Sequence, residues 1–216
     1  MRDIDPLDGS PEGEALWALD QYVSLGHDLR NEGAAMVAPA LALCGQAPAL
    51  VRAPEGRRIW RALILSPEKA EAAQADPSIL GHRAVSSWTS DRMAARTYAR
   101  ELALGMGTVG HQVVVLEGHV PAAGRALDVC ASYEEAGWAT HEMETWARYA
   151  GVEAEIILDR DAWPEDARVV DVFLHGDPAL AEMEEGERIV TPDGVCTVSE
   201  AEALEDGWRV WFDEEM

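Results

Sequence analysis

Lysine is nearly absent from this chain: Lys69 stands alone among 17 basic residues, against 40 Asp and Glu, for a formal net charge of −23. A protein so short of positive charge repels nucleic acid and anionic membranes, whose binding draws on Lys and Arg set against phosphate. The three cysteines, Cys44, Cys130 and Cys196, lie far apart with no Cys-x-x-Cys, which argues against a zinc site or a disulfide framework and fits a reducing compartment. Long hydrophobic runs are missing as well. Residues 34–51 carry no charge, but Pro39, Gly45, Gln46 and Pro48 interrupt them, so they read as a soluble helix or helix pair. No basic region followed by an apolar core opens the chain, as a secretory signal would require. The expected location is the cytoplasm, or a target cell reached by a route the sequence does not display.

Hydrophobic residues make up 48% of the 216 positions, enough for one sizeable globular domain. Acidity concentrates at the end: residues 161–216 hold seventeen acids against three arginines, or 14 of the 23 net negative charges. Such a surface favours solubility and a basic partner. Ser10-Pro11-Glu12 is a helix start, with a helix expected to about Arg30, and a second helix should be interrupted at Pro39. Strands are expected over Ile59–Leu65, Arg83–Thr89, His111–Leu116, Ala126–Val129, Arg168–Leu174 and Gly207–Phe212. Between them, Ser66-Pro67-Glu68 opens a helix, Ser90 or Asp91 caps one with an Ala94, Tyr98, Leu102 stripe, Ser132-x-x-Glu135 spells a capping box, and Thr140–Ala150 reads as helical. Helices gather at the N-terminus and strands follow, which implies an α+β domain.

Val152 to Leu158 carries Glu153 and Glu155 on a segment that otherwise reads as a buried strand. Residues two apart on a strand share a face, and paired acids there call for a cation, a metal or a substrate. Other motifs fail. Gly105-Met106-Gly107-Thr108-Val109-Gly110 spells a dinucleotide fingerprint, but follows a helix and precedes a strand, the reverse of the order that cradles phosphate. His141-Glu142-Met143-Glu144-Thr145 has Thr145 where a zinc-protease helix needs its second His. The other histidines are scattered, and no metal site is expected.

Three separated elements, in order, resemble the mono-ADP-ribosyltransferases of the Arg-Ser-Glu class, the group of the actin-targeting toxins and phage-encoded transferases. Trp60-Arg61-Ala62-Leu63 resembles the family's first core strand with its Arg. Ser87-Trp88-Thr89 is similar to its Ser-Thr-Ser strand, with Ala95 and Ala99 on the helix that follows, and Glu153-Ala154-Glu155 matches its Glu-x-Glu. Upstream, Leu19-Asp20-Gln21-Tyr22 and Leu29-Arg30-Asn31 resemble its leading helix. The resemblance spans roughly residues 14–160 and leaves 161–216 as an acidic extension, expected to add strands to the same domain. It implies an ADP-ribosyltransferase-like fold in which N-terminal helices pack on a split β-sandwich.

The implied activity is transfer of ADP-ribose from NAD to arginine on a protein. Glu155 would bond the ribose 2′-hydroxyl and stabilise the oxocarbenium ion. Arg61 would clamp the pyrophosphate, Ser87 would position Glu155, Thr89 and Tyr22 would assist at the ligand, and Glu153 would receive the acceptor. Trp88 replaces the family's small central residue and so would border an altered nicotinamide pocket. Taken singly, Arg61 is an ordinary surface arginine, Ser87 a strand hydroxyl and the Glu pair a solvated edge; their order gives them meaning. Water as acceptor would make the chain an NAD glycohydrolase, and loss of NAD chemistry would leave an interaction protein.

Overall fold

The computed structural model describes residues 9–25, 32–81, 84–104, 110–138, 154–176, 188–191, 194–204 and 207–214. The N-terminal signal holds: Ser10 Oγ accepts from Gly13 N at 3.0 Å, and helix α1 runs over Pro11–Leu25. Helix α2, Glu32–Leu43, passes through Pro39 without breaking, contrary to the interruption expected there. Its packing explains this, because Val37, Ala40 and Leu41 are buried in the cluster that also holds Leu16, Leu19 and Val23 of α1. That burial outweighs the backbone hydrogen bond a proline forfeits.

The central element is β1, Arg58–Leu65, followed by α3, Pro67–Ala75, which Ser66 caps by accepting from Lys69 N. Next come β2, Val85–Thr89; α4, Arg92–Leu104; β3, Gln112–His119; β4, Ala126–Asp128; α5, Val129–Ala136; β5, Glu155–Asp159; and β6, Arg168–Leu174. The six strands form one sheet in the order β4-β5-β2-β1-β3-β6, antiparallel throughout. The domain is therefore α+β. The sheet continues past residue 160, since β6 forms its edge beside β3. Three further strands, β7 (Arg188–Thr191), β8 (Gly194–Leu204) and β9 (Gly207–Glu214), make a separate antiparallel sheet.

Alternation along the strands sorts the core onto two faces. On one, Leu127 and Ile157 meet α1, α2 and α5, while Ala62, Val113 and Val115 meet α4. On the other, Ile59, Trp88, Val114, Leu116, Ile156 and Leu158 pack with Ala70 and Ala73 of α3. The buried stripe of α4 is Ala95, Ala99 and Ala103, one residue along from the stripe expected from Ala94, Tyr98 and Leu102, and Tyr98 is 45% exposed. Small side chains let the helix lie close to the sheet. The Ser132 capping box is likewise corrected: Asp128 caps α5 by accepting from Ala131 N, and the Ser132 hydroxyl, inside the helix, donates to the Asp128 carbonyl at 2.6 Å. Residues 105–109 of the glycine-rich motif that ends at Gly110, the histidine motif at 141–145 and the helix expected over 140–150 lie outside the described residues. No described helix is long and apolar enough to cross a membrane.

Trp88 is 2% exposed, donates its indole N–H to Ser86 Oγ at 3.0 Å and meets Trp163 edge-on, with ring centroids 5.5 Å apart. Truncating so large a core side chain leaves a cavity as well as lost burial. Trp88→Ala is therefore expected to lower unfolding free energy by about 3–5 kcal/mol in urea titrations, and a loss below about 1 kcal/mol would mean that Trp88 is not a core anchor.

Candidate functional site

The site forms where β5 begins. Glu155 is the first residue of the strand and stands directly opposite Thr89, while Ser87 stands opposite Ile157, so Glu155, Thr89, Ser87 and Ile157 share one face. Helix α1 crosses that face and brings Tyr22, whose hydroxyl shares a hydrogen bond with Ser87 Oγ at 3.0 Å. Helix α5 adds Tyr133, 2% exposed, whose hydroxyl donates to Asp20 of α1 at 3.4 Å. Three expected site residues, Glu155, Ser87 and Tyr22, are thus brought together. Thr89 joins the same row, but its hydroxyl also accepts from Asp91 N at 3.0 Å in the turn that starts α4.

Glu155 is 3% exposed, and among the described residues neither carboxylate oxygen has a hydrogen-bond partner of ordinary geometry. Burial raises its pKa from the ordinary 4.5 to about 7, and the nearby Ser87 hydroxyl offsets part of that rise. Burial likewise raises Asp20, against the opposing bond from Tyr133. Tyr133 is pushed up by burial first, then by the charges of Asp20 and Glu155. A carboxyl poised near neutrality can exchange a proton at physiological pH. As an anion in a desolvated setting, it can also stabilise a neighbouring positive charge far more strongly than it would in water.

The residue before Glu155 departs from strand geometry. Ala154 has φ 45, in the left-handed region that disfavours any side chain, at a cost of roughly 1–2 kcal/mol. Its carbonyl accepts from Ser90 N at 3.0 Å, which ties the turn to the start of α4. Glu153 lies outside the described residues, and the shared face expected for it and Glu155 loses its basis, because alternation holds only through extended backbone.

Two further expectations are corrected. Trp88 leaves β2 on the face opposite Ser87 and Glu155, within the α3-side core, so a ligand beside Glu155 does not touch it. Arg61 also leaves from that opposite face. It pairs with Leu116 and alternates with Trp60, which stands opposite Thr89, so it is Trp60 that shares the Glu155 face. The register between β1 and β3 is unbroken from Arg58 to Leu65, which fixes this parity. Arg61 and Glu155 do not converge.

Arg58 and Arg168 lie on that face of the sheet, and α4, whose arginines sequence reasoning passed over, brings Arg92 and Arg96 beside Trp60. Arg92, Arg96 and Arg100 recur every four residues and so share one stripe of the helix, a signal readable from spacing alone. Among the described residues no group of three or more His, Cys, Asp or Glu is placed to hold a metal ion. Compared with known protein families, curated proteins and solved structures, the chain matches none.

Because the folded chain keeps the Glu155 proton up to about pH 7 and the unfolded chain loses it near 4.5, stability falls as pH rises between those values. The full cost applies above pH 7. Glu155→Gln cannot ionise, so it is expected to melt above the wild type at pH 8, with the gap closing as pH falls toward 4.5. A gap that stays constant from pH 8 to pH 4.5 in calorimetric scans would contradict the buried, raised-pKa carboxyl.

Proposed function

We propose that this chain cleaves NAD and transfers its ADP-ribose, with Glu155 as the carboxylate that stabilises the ribosyl cation. The observation that carries the reading is the meeting of Glu155, Ser87 and Tyr22 in one water-poor spot. In the reaction the bond between ribose C1′ and the nicotinamide nitrogen breaks, and its electron pair leaves with nicotinamide. The oxocarbenium ion that remains needs a fixed negative charge, which Glu155 supplies without reorganisation. The cationic nicotinamide itself draws down the pKa of Glu155 on binding, so the proton held in the empty site is released when substrate arrives. An acceptor nucleophile then bonds C1′ and gives up a proton.

Ser87 and Tyr22 act as positioning residues, since their shared hydrogen bond holds the serine hydroxyl beside the carboxyl. A protein guanidinium is the acceptor that best suits an acidic chain of net charge −23. A second reading draws support from Arg61, which lies on the far face of the sheet: the chain keeps the strand order as an interaction protein and has lost NAD chemistry.

Release of nicotinamide from labelled NAD, with an arginine analogue and a cell lysate as acceptors, separates these readings. Glu155→Gln is expected to reduce release by roughly 10²–10³-fold, the range seen when one group stabilising a transition-state charge is removed, while leaving NAD affinity within a few fold. Nicotinamide release without a modified acceptor would identify water as the acceptor. No binding and no release would leave the interaction protein.

A further inference from the structure

Both carboxylate oxygens of Glu155 are closed off from solvent, and neither has a hydrogen-bond partner of ordinary geometry. Whatever the carboxyl acts on, something around it has to give way first. Among the described residues, β2, β5, α1 and α5 surround it. The two strands are locked in register, with Thr89 opposite Glu155 and Ser87 opposite Ile157. Helix α5 follows β4 without a loop and is pinned in place: Val51 N donates to Ser132 Oγ at 3.0 Å, and the Tyr133 ring packs on Trp138 with centroids 5.7 Å apart. The middle of α1 is fixed as well, because Leu16 and Leu19 are fully buried and lifting the whole helix would return them to water.

The last turn of α1 differs. Tyr22 to Leu25 are its final four residues, where carbonyls lack partners within the helix, and helix ends open far more easily than the core they flank. Tyr22 is the side chain this turn brings to the site. It is 8% exposed, so it is not sealed from solvent as Tyr133 is, and its hydroxyl shares a hydrogen bond with Ser87 Oγ at 3.0 Å. That bond engages the hydroxyl near enough to act on the carboxyl. A hydrogen bond between two neutral hydroxyls contributes little net stability, whereas one to a carboxylate contributes more. Ser87 therefore gains by exchanging Tyr22 for an ionised Glu155.

We infer that Tyr22 is the gate of this site: the structure is the closed state, and opening swings Tyr22 and the last turn of α1 off Ser87, which admits the ligand and frees the serine hydroxyl to donate to Glu155. Tyr22 thus holds Ser87 while the site is empty and yields it when the site fills. The gate controls the site of the NAD reading and rests on that reading for what enters; the covering of the carboxyl stands without it.

Carbodiimide coupling of a small amine to carboxyl groups, followed by peptide mass spectrometry, tests the gate without NAD. Wild type, Tyr22→Phe, Tyr22→Ala and Leu16→Ala are compared, each first checked for a native circular dichroism spectrum, with Glu155→Gln as the blank. In wild type, Glu155 is expected to couple at least tenfold more slowly than the exposed Glu134 and Glu135. Tyr22→Ala is expected to raise the Glu155 rate at least tenfold, and Tyr22→Phe, which keeps the ring but loses the bond to Ser87, at least threefold. Leu16→Ala makes a cavity in the same helix away from its last turn and is expected to leave the rate within twofold of wild type. Tyr22→Phe keeps the test usable should Tyr22→Ala fail to fold. Unchanged rates in both Tyr22 variants, a wild-type Glu155 as reactive as the exposed glutamates, or an equal rise in Leu16→Ala would overturn the gate. Faster coupling in the Tyr22 variants of a protein that releases no nicotinamide from NAD would keep the gate and remove the transferase reading. Nicotinamide release by a protein whose Glu155 coupling is indifferent to Tyr22 would do the reverse.

Discussion

A single carboxyl group, that of Glu155, is buried at the point where β5 enters the sheet, and much of the surrounding structure serves to hold it there. Leaving an ionisable group in a water-poor setting without full hydrogen bonding destabilises a fold, and such positions persist where the group has work to do. Helix α1 places Tyr22 against Ser87, α5 places Tyr133 behind, and the left-handed turn at Ala154 aims the strand so that its first side chain points inward. The apolar residues that follow, Ile156, Ile157 and Leu158, are fully buried and anchor the strand on both faces.

The sheet then sets what can act together with Glu155. One face carries Glu155, Ser87, Thr89 and Trp60 and is roofed by α1 and α4; the other carries Arg61 and Trp88 over α3. Arg61 therefore lies across the sheet from Glu155. The resemblance implies that Arg61 acts beside Glu155, whereas strand parity sets the two on opposite faces.

Much of this was legible in the sequence, and its failures are physically specific. Proline-led helix starts at Ser10 and Ser66 and the alternating strand at Ile59–Leu65 were readable because each rests on local chemistry. Which face Arg61 occupies was not, since a face is assigned by cross-strand register, and a shift of one residue reverses it. The stripe of α4 was missed by one position because Ala94, Tyr98, Leu102 and Ala95, Ala99, Ala103 have the same period, and only the close approach of helix to sheet selects the smaller set. Strand β8 was missed because Glu200 to Leu204 is built of Glu, Ala and Leu, good helix formers, and it becomes a strand by pairing with β9. Pairing Glu153 with Glu155 assumed an extended Ala154, which its φ of 45 denies.

The central claim is that Glu155 is a desolvated carboxyl that titrates near neutrality. Carbon-detected magnetic resonance of the glutamate side chains, assigned with Glu155→Gln, reads that titration directly. The account predicts a midpoint for Glu155 of about 7, well above those of the exposed glutamates. A midpoint near the ordinary 4.5 would contradict it, because a carboxyl in open contact with water at that position could not be the buried charge on which the proposed chemistry depends.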